Sequence, residues 1–223
     1  RQRFVAALTH DLRTPLTAAL MSVEMLQRKS EPTTLQQKYL GKISHSLLRM
    51  ENMIQDFLDV TLIKSGQPAP VKFSEFNLNK LIVETIEDLT TINGARFIFV
   101  PKANLNVYLS EKSMSRILEN LVSNAIKYGS QTGLVTIVLD SCDEDLLLSV
   151  HNEGNPIDEA DLKNLFDHFI RTESAKESGT KGWGLGLPLV KGLVTAQHGT
   201  VVITSDLENG TTFFIRLPQK IKT

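Results

Sequence analysis

The sequence predicts two domains of different fold class, an all-α helical hairpin followed by an α+β sandwich. Up to about residue 60, apolar residues recur only in steps of three and four, which is the helical period. Beyond residue 77, helical segments alternate with short runs that have the two-residue period of strands. The segment Ser65-Gly66-Gln67-Pro68-Ala69-Pro70 separates the two patterns and is typical of a helix end and a loop. We therefore predict a hairpin at residues 1–66, a linker at 67–76 and a second domain at 77–223.

The first domain contains two helical stretches whose apolar residues form one continuous seam. Its members are Phe4, Leu8, Leu12, Leu16, Ala19, Val23 and Leu26 in the first stretch, and Leu40, Ile43, Leu47, Met50, Ile54 and Phe57 in the second. This spacing is that of a coiled-coil seam, and the polar segment from Lys29 to Thr34 interrupts it. A lone hairpin would leave the seam in water, so we predict a homodimer that closes a four-helix bundle.

The second domain mixes helices with strands that pair largely as hairpins. We predict helices at 77–92, at 110–128 and from the glycine-rich segment to about His198, and strands at 96–100, 106–109, 134–140, 146–152, 200–205 and 211–217. The last two strands flank the turn Glu208-Asn209-Gly210, a strong hairpin signal. These elements predict a mixed sheet with helices on one face.

Composition excludes several classes of function. The chain has 223 residues, 41% of them hydrophobic, and a net charge of -1, so we expect no partner among nucleic acids and no contact of this segment with a membrane. The single cysteine, Cys142, excludes an internal disulfide, and we expect it in the core. Because the chain opens at Arg1 within helical sequence, we interpret it as a fragment whose parent protein is either soluble or membrane-anchored through a preceding region.

A glycine-rich segment precedes the last predicted helix. In Gly182-Trp183-Gly184-Leu185-Gly186-Leu187 three glycines alternate with large residues, and Pro188 suits the first turn of a helix. Backbone N–H groups at such a helix start bind phosphate. A turn that merely packs the helix on the sheet is the alternative, because the spacing is neither that of the dinucleotide fingerprint nor that of the Walker A loop.

One line of polar residues lies on the helix predicted at 110–128. Its members are Arg116, Asn120, Asn124, Lys127 and Tyr128. Asparagine is a mediocre helix former, and an amide oxygen can complete the coordination shell of a Mg²⁺ ion that also holds waters and phosphate oxygens. The alternative is an ordinary solvated helix face.

His10 is a candidate nucleophile on the first helix. Leu8, Leu12 and Leu16 share the apolar face, which leaves His10 directed outward beside the bend that Pro15 imposes. A neutral imidazole is a nucleophile near neutral pH, and the carboxylate of Asp11 could hold its tautomer. A surface histidine without function is the alternative.

These elements occur together and in order, and the combination resembles the sensor histidine kinases of two-component systems. The matching segments are His10 to Leu16 (the phosphoacceptor box), Asn120 to Tyr128 (the asparagine box), Asn152 to Ile157 (the first glycine box), Phe166 to Phe169 (the phenylalanine box), Gly182 to Leu187 (the second glycine box) and Gly210 to Phe213 (the closing turn). The resemblance covers essentially the whole chain. It implies a cytoplasmic catalytic core that consists of a dimerisation and phosphotransfer hairpin followed by an ATP-binding domain of the Bergerat type.

The resemblance also implies an activity and its residues. The chain would use ATP and Mg²⁺ to phosphorylate His10, with Asp11 as proton acceptor, and would then pass the phosphoryl group to an aspartate of a response regulator. Thr14 would serve a phosphatase activity toward that regulator, although its hydroxyl could instead bond the backbone at the bend. The implied nucleotide contacts are Asn120, Asn124, Lys127, Tyr128, Asn152, Gly154, Arg171, Lys181, Gly182, Gly184, Leu185, Gly186 and Thr212, with Asn124 as the metal ligand.

Three departures from the family pattern leave a second interpretation open. Asn152 replaces the aspartate that accepts a hydrogen bond from adenine, Pro156 replaces a glycine, and Trp183 is unusually large for its loop. A degenerate kinase that serves as a dimeric, nucleotide-responsive scaffold is therefore an alternative. A further alternative is an ATPase of the wider superfamily, but such enzymes carry a glutamate base where this chain has Asn120.

Overall fold

A computed structural model describes residues 16–26, 33–162, 164–166 and 184–219 of the chain. The chain divides into two compact units, Arg1–Gly66 and Gln67–Thr223. His10, Asp11, Thr14, Arg171, Lys181 and Gly182 lie outside the described residues.

The described part of the first unit is all-α, as the sequence predicts. Residues 16–26 are helical (α1), and α2 spans Thr34–Lys64. A capping box starts α2: the Thr33 hydroxyl accepts from the N–H of Gln36 at 3.4 Å, and the Gln36 side chain accepts from the N–H of Thr33 at 2.8 Å. The helix ends at Ser65, and Gly66 then adopts a φ of 79°, a conformation that glycine reaches at little cost.

Much of the apolar seam of the first unit lies open in a single copy of the chain. Leu16, Val23 and Val60 are buried. By contrast, Ile43, Met50 and Phe57 are 47%, 46% and 39% exposed. The other large exposed apolar residues of this unit are Met21, Met25, Leu26, Leu35, Tyr39 and Leu48. One copy therefore leaves a large apolar surface uncovered.

The second unit contains the mixture of helices and strands that the sequence predicts. In chain order its elements are β1 (Ser74–Asn77), α3 (Leu78–Asn93), β2 (Phe97–Pro101), β3 (Asn106–Leu109), α4 (Glu111–Tyr128), β4 (Val135–Cys142), β5 (Asp145–Asn152), α5 (Glu159–Leu162), α6 (Gly186–Thr195), β6 (Thr200–Asp206) and β7 (Gly210–Pro218). The strand β1 was not predicted, because Ser74, Glu75 and Phe76 fall in the stretch interpreted as linker. It pairs with β3 in a separate two-stranded sheet. This pairing orders the four residues even though their own strand propensity is weak.

The main sheet has five strands in the order β2-β4-β5-β7-β6. The β2–β4 pair is parallel, and the other three pairs are antiparallel. Burial alternates along β5, where Leu146, Leu148, Val150 and Asn152 form the buried side. Helix α3 contacts β2, α4 contacts β4 and β5, and α6 contacts β6. The prediction of a mixed sheet with helices on one face is confirmed, and Asn152 lies on the helix-covered side.

The prediction that Cys142 lies in the core is wrong. Cys142 is exposed, because it is the last residue of β4 and the tight turn to β5 begins immediately after it. Asp143 in that turn has a φ of 56°, the left-handed conformation typical of the tight turns that join hairpin strands.

The turn between β6 and β7 is organised by one carboxylate. Asp206 Oδ1 accepts from the backbone N–H groups of Glu208 and Asn209 at 3.0 and 2.7 Å, and from the Asn209 side chain at 3.0 Å. The backbone bond from Asn209, followed by its side-chain bond, lowers the pKa of Asp206 below its usual 3.8. These bonds favour the ionised carboxyl and so hold the turn.

We expect Asp206 to make stability depend on acid pH. A carboxyl whose pKa is lower in the folded state stabilises that state above its unfolded pKa of about 3.8, and this contribution is lost as pH falls through the lowered folded pKa. The melting temperature of Asp206→Ala should therefore lie below that of the wild type at neutral pH, and the difference should shrink in acid. Glu208→Ala, which removes another carboxyl of the same turn, is the control. A difference that stays constant down to acid pH would contradict this account.

Candidate functional site

Helix α4 presents the predicted polar line beside its buried face. Ser110 caps the helix with its side chain, and the carboxylate of Glu111 in the first turn interacts favourably with the positive end of the helix dipole. The buried face consists of Ser113, Met114, Ile117, Leu118, Leu121, Val122 and Ala125. Asn120 and Asn124 lie half-buried next to that face, whereas Lys127 and Tyr128 at the end of the helix are exposed.

Asn124 carries a polar group without a partner. Its Nδ2 atom is buried and has no hydrogen-bond partner among the described residues. A buried donor or acceptor left unpaired costs about 1–3 kcal/mol, so proteins normally retain one only where a ligand or water completes it. Asn120, one turn earlier, donates from Nδ2 to the carbonyl of Arg116 at 2.8 Å, which fixes the position of its amide.

The end of the glycine-rich segment lies against Asn120. Gly184 has a φ of 65°, and helix α6 begins two residues later at Gly186. A Cβ atom on Gly186 would lie 2.6 Å from Asn120 Oδ1, closer than real Cβ contacts allow, so a side chain here would displace the Asn120 amide. The residue before the helix, Leu185, is 9% exposed and makes no side-chain capping bond. The first N–H groups of α6 therefore lie beside the asparagine line of α4 without a side-chain cap.

Asn152 and Gly154 meet the other end of α4. Asn152 is the last residue of β5 and is 6% exposed, and its Nδ2 donates to the carbonyl of Glu153 at 3.2 Å. The same carbonyl accepts from the N–H of Ser130 at 2.7 Å. Gly154 has a φ of 146°, and a Cβ there would lie 3.0 Å from Gly129, the residue that ends α4. The two glycines thus allow close contact between the end of α4 and the end of β5.

The structure does not bring Thr212 to this site, although the sequence analysis named it. Thr212 pairs with His151, and its hydroxyl lies 2.9 Å from Nδ1 of that histidine on the face of the sheet opposite to Asn152. Thr211 pairs directly with Asn152 and is 5% exposed, so it shares the helix-covered face. Its hydroxyl lies 2.7 Å from that of Ser205. The sequence contains both threonines side by side, and only the strand register decides between them.

The residues present fit a nucleotide that brings its own metal ion. Among the described residues, no group of three or more His, Cys, Asp or Glu could hold a metal. The unpaired Nδ2 of Asn124 can only donate a hydrogen bond, so it suits a phosphate oxygen. The Oδ1 of the same amide is the atom that could complete the shell of a Mg²⁺ ion beside phosphate oxygens and waters. The described part of the chain also contains no helix long and apolar enough to cross a bilayer.

The one-sided sheet, the asparagine line and the glycine-rich helix start define an ATP-binding domain. Residues 110–221 match the family model described as Histidine kinase-, DNA gyrase B-, and HSP90-like ATPase. Residues 1–66 match the model of the His Kinase A (phospho-acceptor) domain. The chain belongs to the sensor histidine kinases of two-component systems, and the resemblance noted in the sequence is confirmed.

Similar proteins cover nearly all of this chain. The adaptive-response sensory kinase SasA of Crocosphaera subtropica is 31% identical over 98% of the chain, which spans 59% of that protein. The sensor histidine kinase WalK of Bacillus subtilis is 32% identical over 99% of the chain, which spans 37% of that protein. The chain thus spans between about a third and three fifths of the length of these two relatives.

Solved structures share the fold. Full-length ShkA in complex with AMPPNP has a TM-score of 0.74 at 22% identity, and the match covers 98% of this chain and 46% of that one. The histidine kinase ThkA in complex with the response regulator protein TrrA has a TM-score of 0.59 at 24% identity, covering 97% of this chain and 61% of that one.

Proposed function

We propose that this chain is the catalytic core of a protein histidine kinase, which phosphorylates His10 from ATP and passes the phosphoryl group to an aspartate of a response regulator. The observation that carries the proposal is the close approach of Gly186 to Asn120, beside the buried and unpaired Nδ2 of Asn124. This arrangement sets uncapped backbone N–H groups opposite two amides, and such a pair of surfaces suits a polyphosphate.

The triphosphate would lie between α4 and the start of α6. The first N–H groups of α6 would bind phosphate oxygens, and Asn120 would support them from the facing helix. Asn124 would ligate Mg²⁺, which supplies charge neutralisation along the phosphates when it is bound. Further phosphate or ribose contacts are proposed for Lys127, Tyr128, Arg171, Lys181, Gly182, Gly184 and Leu185.

The base would lie at the ends of β5 and β7. Asn152 presents Oδ1 as a hydrogen-bond acceptor, because its Nδ2 is already bonded to the carbonyl of Glu153. An acceptor at this position suits the amino group of adenine. Gly154 lets the backbone approach closely, and we place Thr211 rather than Thr212 beside the base, since Thr211 shares the face of Asn152.

The phosphotransfer itself would use the first helix. The imidazole nitrogen of His10 forms a bond to the γ-phosphorus while the bond from that phosphorus to the β–γ bridging oxygen breaks and ADP leaves. The carboxylate of Asp11 accepts the imidazole proton or holds the tautomer. In the second step the N–P bond breaks as an aspartate oxygen of the partner takes the phosphoryl group.

Two partners follow from the proposal. A second copy of the chain would cover the apolar residues that α1 and α2 leave exposed, giving a homodimer around a four-helix bundle. A response regulator would dock on that bundle, and ThkA, which shares the fold, has been solved in complex with a response regulator protein, TrrA. We place autophosphorylation and transfer to the regulator in the cytoplasm, where ATP and such regulators are found.

Incubation with γ-labelled ATP and Mg²⁺ tests the proposal. A kinase core should acquire label that is lost in acid and retained in alkali, as expected for a phosphoramidate. A degenerate kinase acting as a scaffold would bind ATP without becoming labelled. Dependence of labelling on protein concentration would report whether the dimer is required.

We expect Thr14→Ala to separate the phosphatase activity from the kinase activity. Thr14 follows His10 by four residues in the sequence, so in the predicted helix its hydroxyl would accept a hydrogen bond from a water molecule and direct that water at the aspartyl phosphate of the regulator. Autophosphorylation and forward transfer should stay near wild type, while dephosphorylation of the regulator should slow by about tenfold or more. The measurement follows the aspartyl phosphate over time with purified phospho-regulator, the kinase core and ADP.

Thr14→Ser, which keeps the hydroxyl, is the matched control and should retain phosphatase activity. If Thr14→Ala dephosphorylates the regulator as fast as the wild type, the hydroxyl has no part in hydrolysis. If autophosphorylation is lost as well, the side chain instead supports the backbone at the bend before Pro15.

A further inference from the structure

Gln197 lies in the turn after α6, and none of its surface is exposed. Its Oε1 atom accepts from the backbone N–H of Ser110 at 2.8 Å, and its Nε2 donates to the carbonyl of Leu193 at 3.1 Å. Because an N–H can only donate and a carbonyl can only accept, these partners determine the orientation of the amide. The side chain therefore connects the last turn of α6 with the residue that caps α4.

The bond from the Ser110 N–H to Gln197 takes the place of the bond that a capping box would provide within the helix itself. In a capping box, the side chain three residues after the N-cap accepts from the N-cap's own N–H. Helix α2 follows this pattern, with Gln36 bonded to Thr33. In α4 the corresponding residue is Ser113, whose short hydroxyl bonds the Ser110 side chain at 2.9 Å instead. Gln197, 87 residues further along the chain, supplies the acceptor that the helix itself lacks.

A second contact between the same two helices joins the start of α6 to the middle of α4. There the start of α6 at Gly186 packs against Asn120, and a Cβ on the glycine would lie 2.6 Å from Oδ1. Asn120 is ten residues after Ser110, and Gly186 is eleven residues before Gln197. With a rise of about 1.5 Å per residue, both spacings correspond to about 15 Å, so α6 runs antiparallel to the first half of α4 and contacts it at these two points.

We propose that Gln197 is a positioning residue for the nucleotide site, because it fixes how far α6 lies along α4. The inference rests on the proposed function, in which phosphates bind between the start of α6 and the amides of Asn120 and Asn124. Without the bond to Ser110, α6 can slide along α4, and its N-terminal N–H groups then move relative to both amides. Hydrogen bonds weaken steeply when their distance and angle change, so the phosphates lose affinity.

The experiment compares Gln197→Met with a matched control, Asn79→Leu. Asn79 makes the same two kinds of bond elsewhere in this unit, donating to the carbonyl of Ala103 at 2.8 Å and accepting from the N–H of Leu105 at 2.9 Å. Each substitution removes an amide that joins two backbone groups and keeps a similar side-chain volume. The dissociation constant for Mg·ATP is measured by competition with a fluorescent nucleotide, at a temperature where circular dichroism shows each protein folded.

Both substitutions should lower the melting temperature, but only Gln197→Met should weaken Mg·ATP binding. The expected loss is about tenfold or more, within the range that a misplacement of about 1 Å produces at a functional site. Equal affinity in Gln197→Met and wild type, or an equal loss in Asn79→Leu, would overturn the inference. Failure of the wild type itself to bind Mg·ATP would instead contradict the proposed function.

Gln197→Glu provides a second variant that does not rely on Gln197→Met being well folded. A protonated carboxyl can accept from Ser110 and donate to Leu193, as the amide does, whereas a carboxylate cannot donate. Burial raises the pKa of a carboxyl at such a position. The Mg·ATP affinity of Gln197→Glu, measured relative to wild type at each pH, should recover as pH falls, and that of Gln197→Met should not. A ratio independent of pH would count against the positioning role.

Discussion

His10→Gln should abolish labelling of the chain by γ-labelled ATP, while ATP binding stays at the wild-type level. Glutamine is similar in size and polar, but its amide is not a nucleophile toward phosphorus, so the acceptor for the phosphoryl group is lost. The nucleotide contacts proposed above all lie in the second unit, and the substitution leaves them untouched. The measurements are acid-labile label on the protein and, in parallel, Mg·ATP affinity.

His45→Gln on α2 is the control for this experiment, because it removes another histidine of the same unit. It should label as the wild type does. Acid-labile label that persists in His10→Gln and disappears in His45→Gln would identify His45 as the acceptor and would refute the assignment of His10.

Asn124→Ala should lower Mg²⁺-dependent labelling on the order of a hundredfold, the loss seen when one preorganised polar contact to a developing transition state is removed. The fold should be kept, because the Nδ2 atom of Asn124 has no hydrogen-bond partner among the described residues, and its removal therefore breaks no bond from that atom. The measurement is the initial rate of labelling as a function of Mg²⁺ concentration, together with the melting temperature.

Two further variants sharpen this test. Asn124→Asp keeps an oxygen ligand and should retain more of the Mg²⁺-dependent rate than Asn124→Ala. Ser115→Ala, on the same helix, removes a hydroxyl bonded to Glu119 at 3.0 Å and should leave the rate unchanged. A wild-type rate and an unaltered Mg²⁺ dependence in Asn124→Ala would mean that this amide is not a metal ligand.

Local patterns were sufficient to predict most of the elements. Helix α4 followed from its apolar spacing and from Ser110 as a cap, and the β6–β7 hairpin followed from the turn at Asn209-Gly210. Both signals lie within a few residues of the structure that they specify. The strand β1 was missed because its four residues gain their order from pairing with β3, about thirty residues away along the chain.

The sequence predicted individual residues of the candidate site better than it predicted their arrangement in space. Asn120, Asn124 and Gly186 were named from sequence, but the contact between α4 and α6 depends on packing between segments more than sixty residues apart. Thr212 was named in place of Thr211 because a shift of one residue along a strand reverses the face, and nothing local specifies the register of β7 against β5. Gln197 was not named, since its partner Ser110 lies 87 residues away.

The position of β7 has a consequence for how the protein folds during its synthesis. Among the described strands this one is the last in chain order, yet it lies inside the sheet, bonded to β5 on one side and β6 on the other. Until residues 210–218 have left the ribosome, only β2, β4 and β5 can pair as a partial sheet, and β6 has no neighbour. The edges of β5 and β6 then stay unpaired until β7 is available, and exposed edges are where nascent chains associate wrongly. Completion of the nucleotide-binding unit is therefore a late event, which takes place only after β7 has left the ribosome.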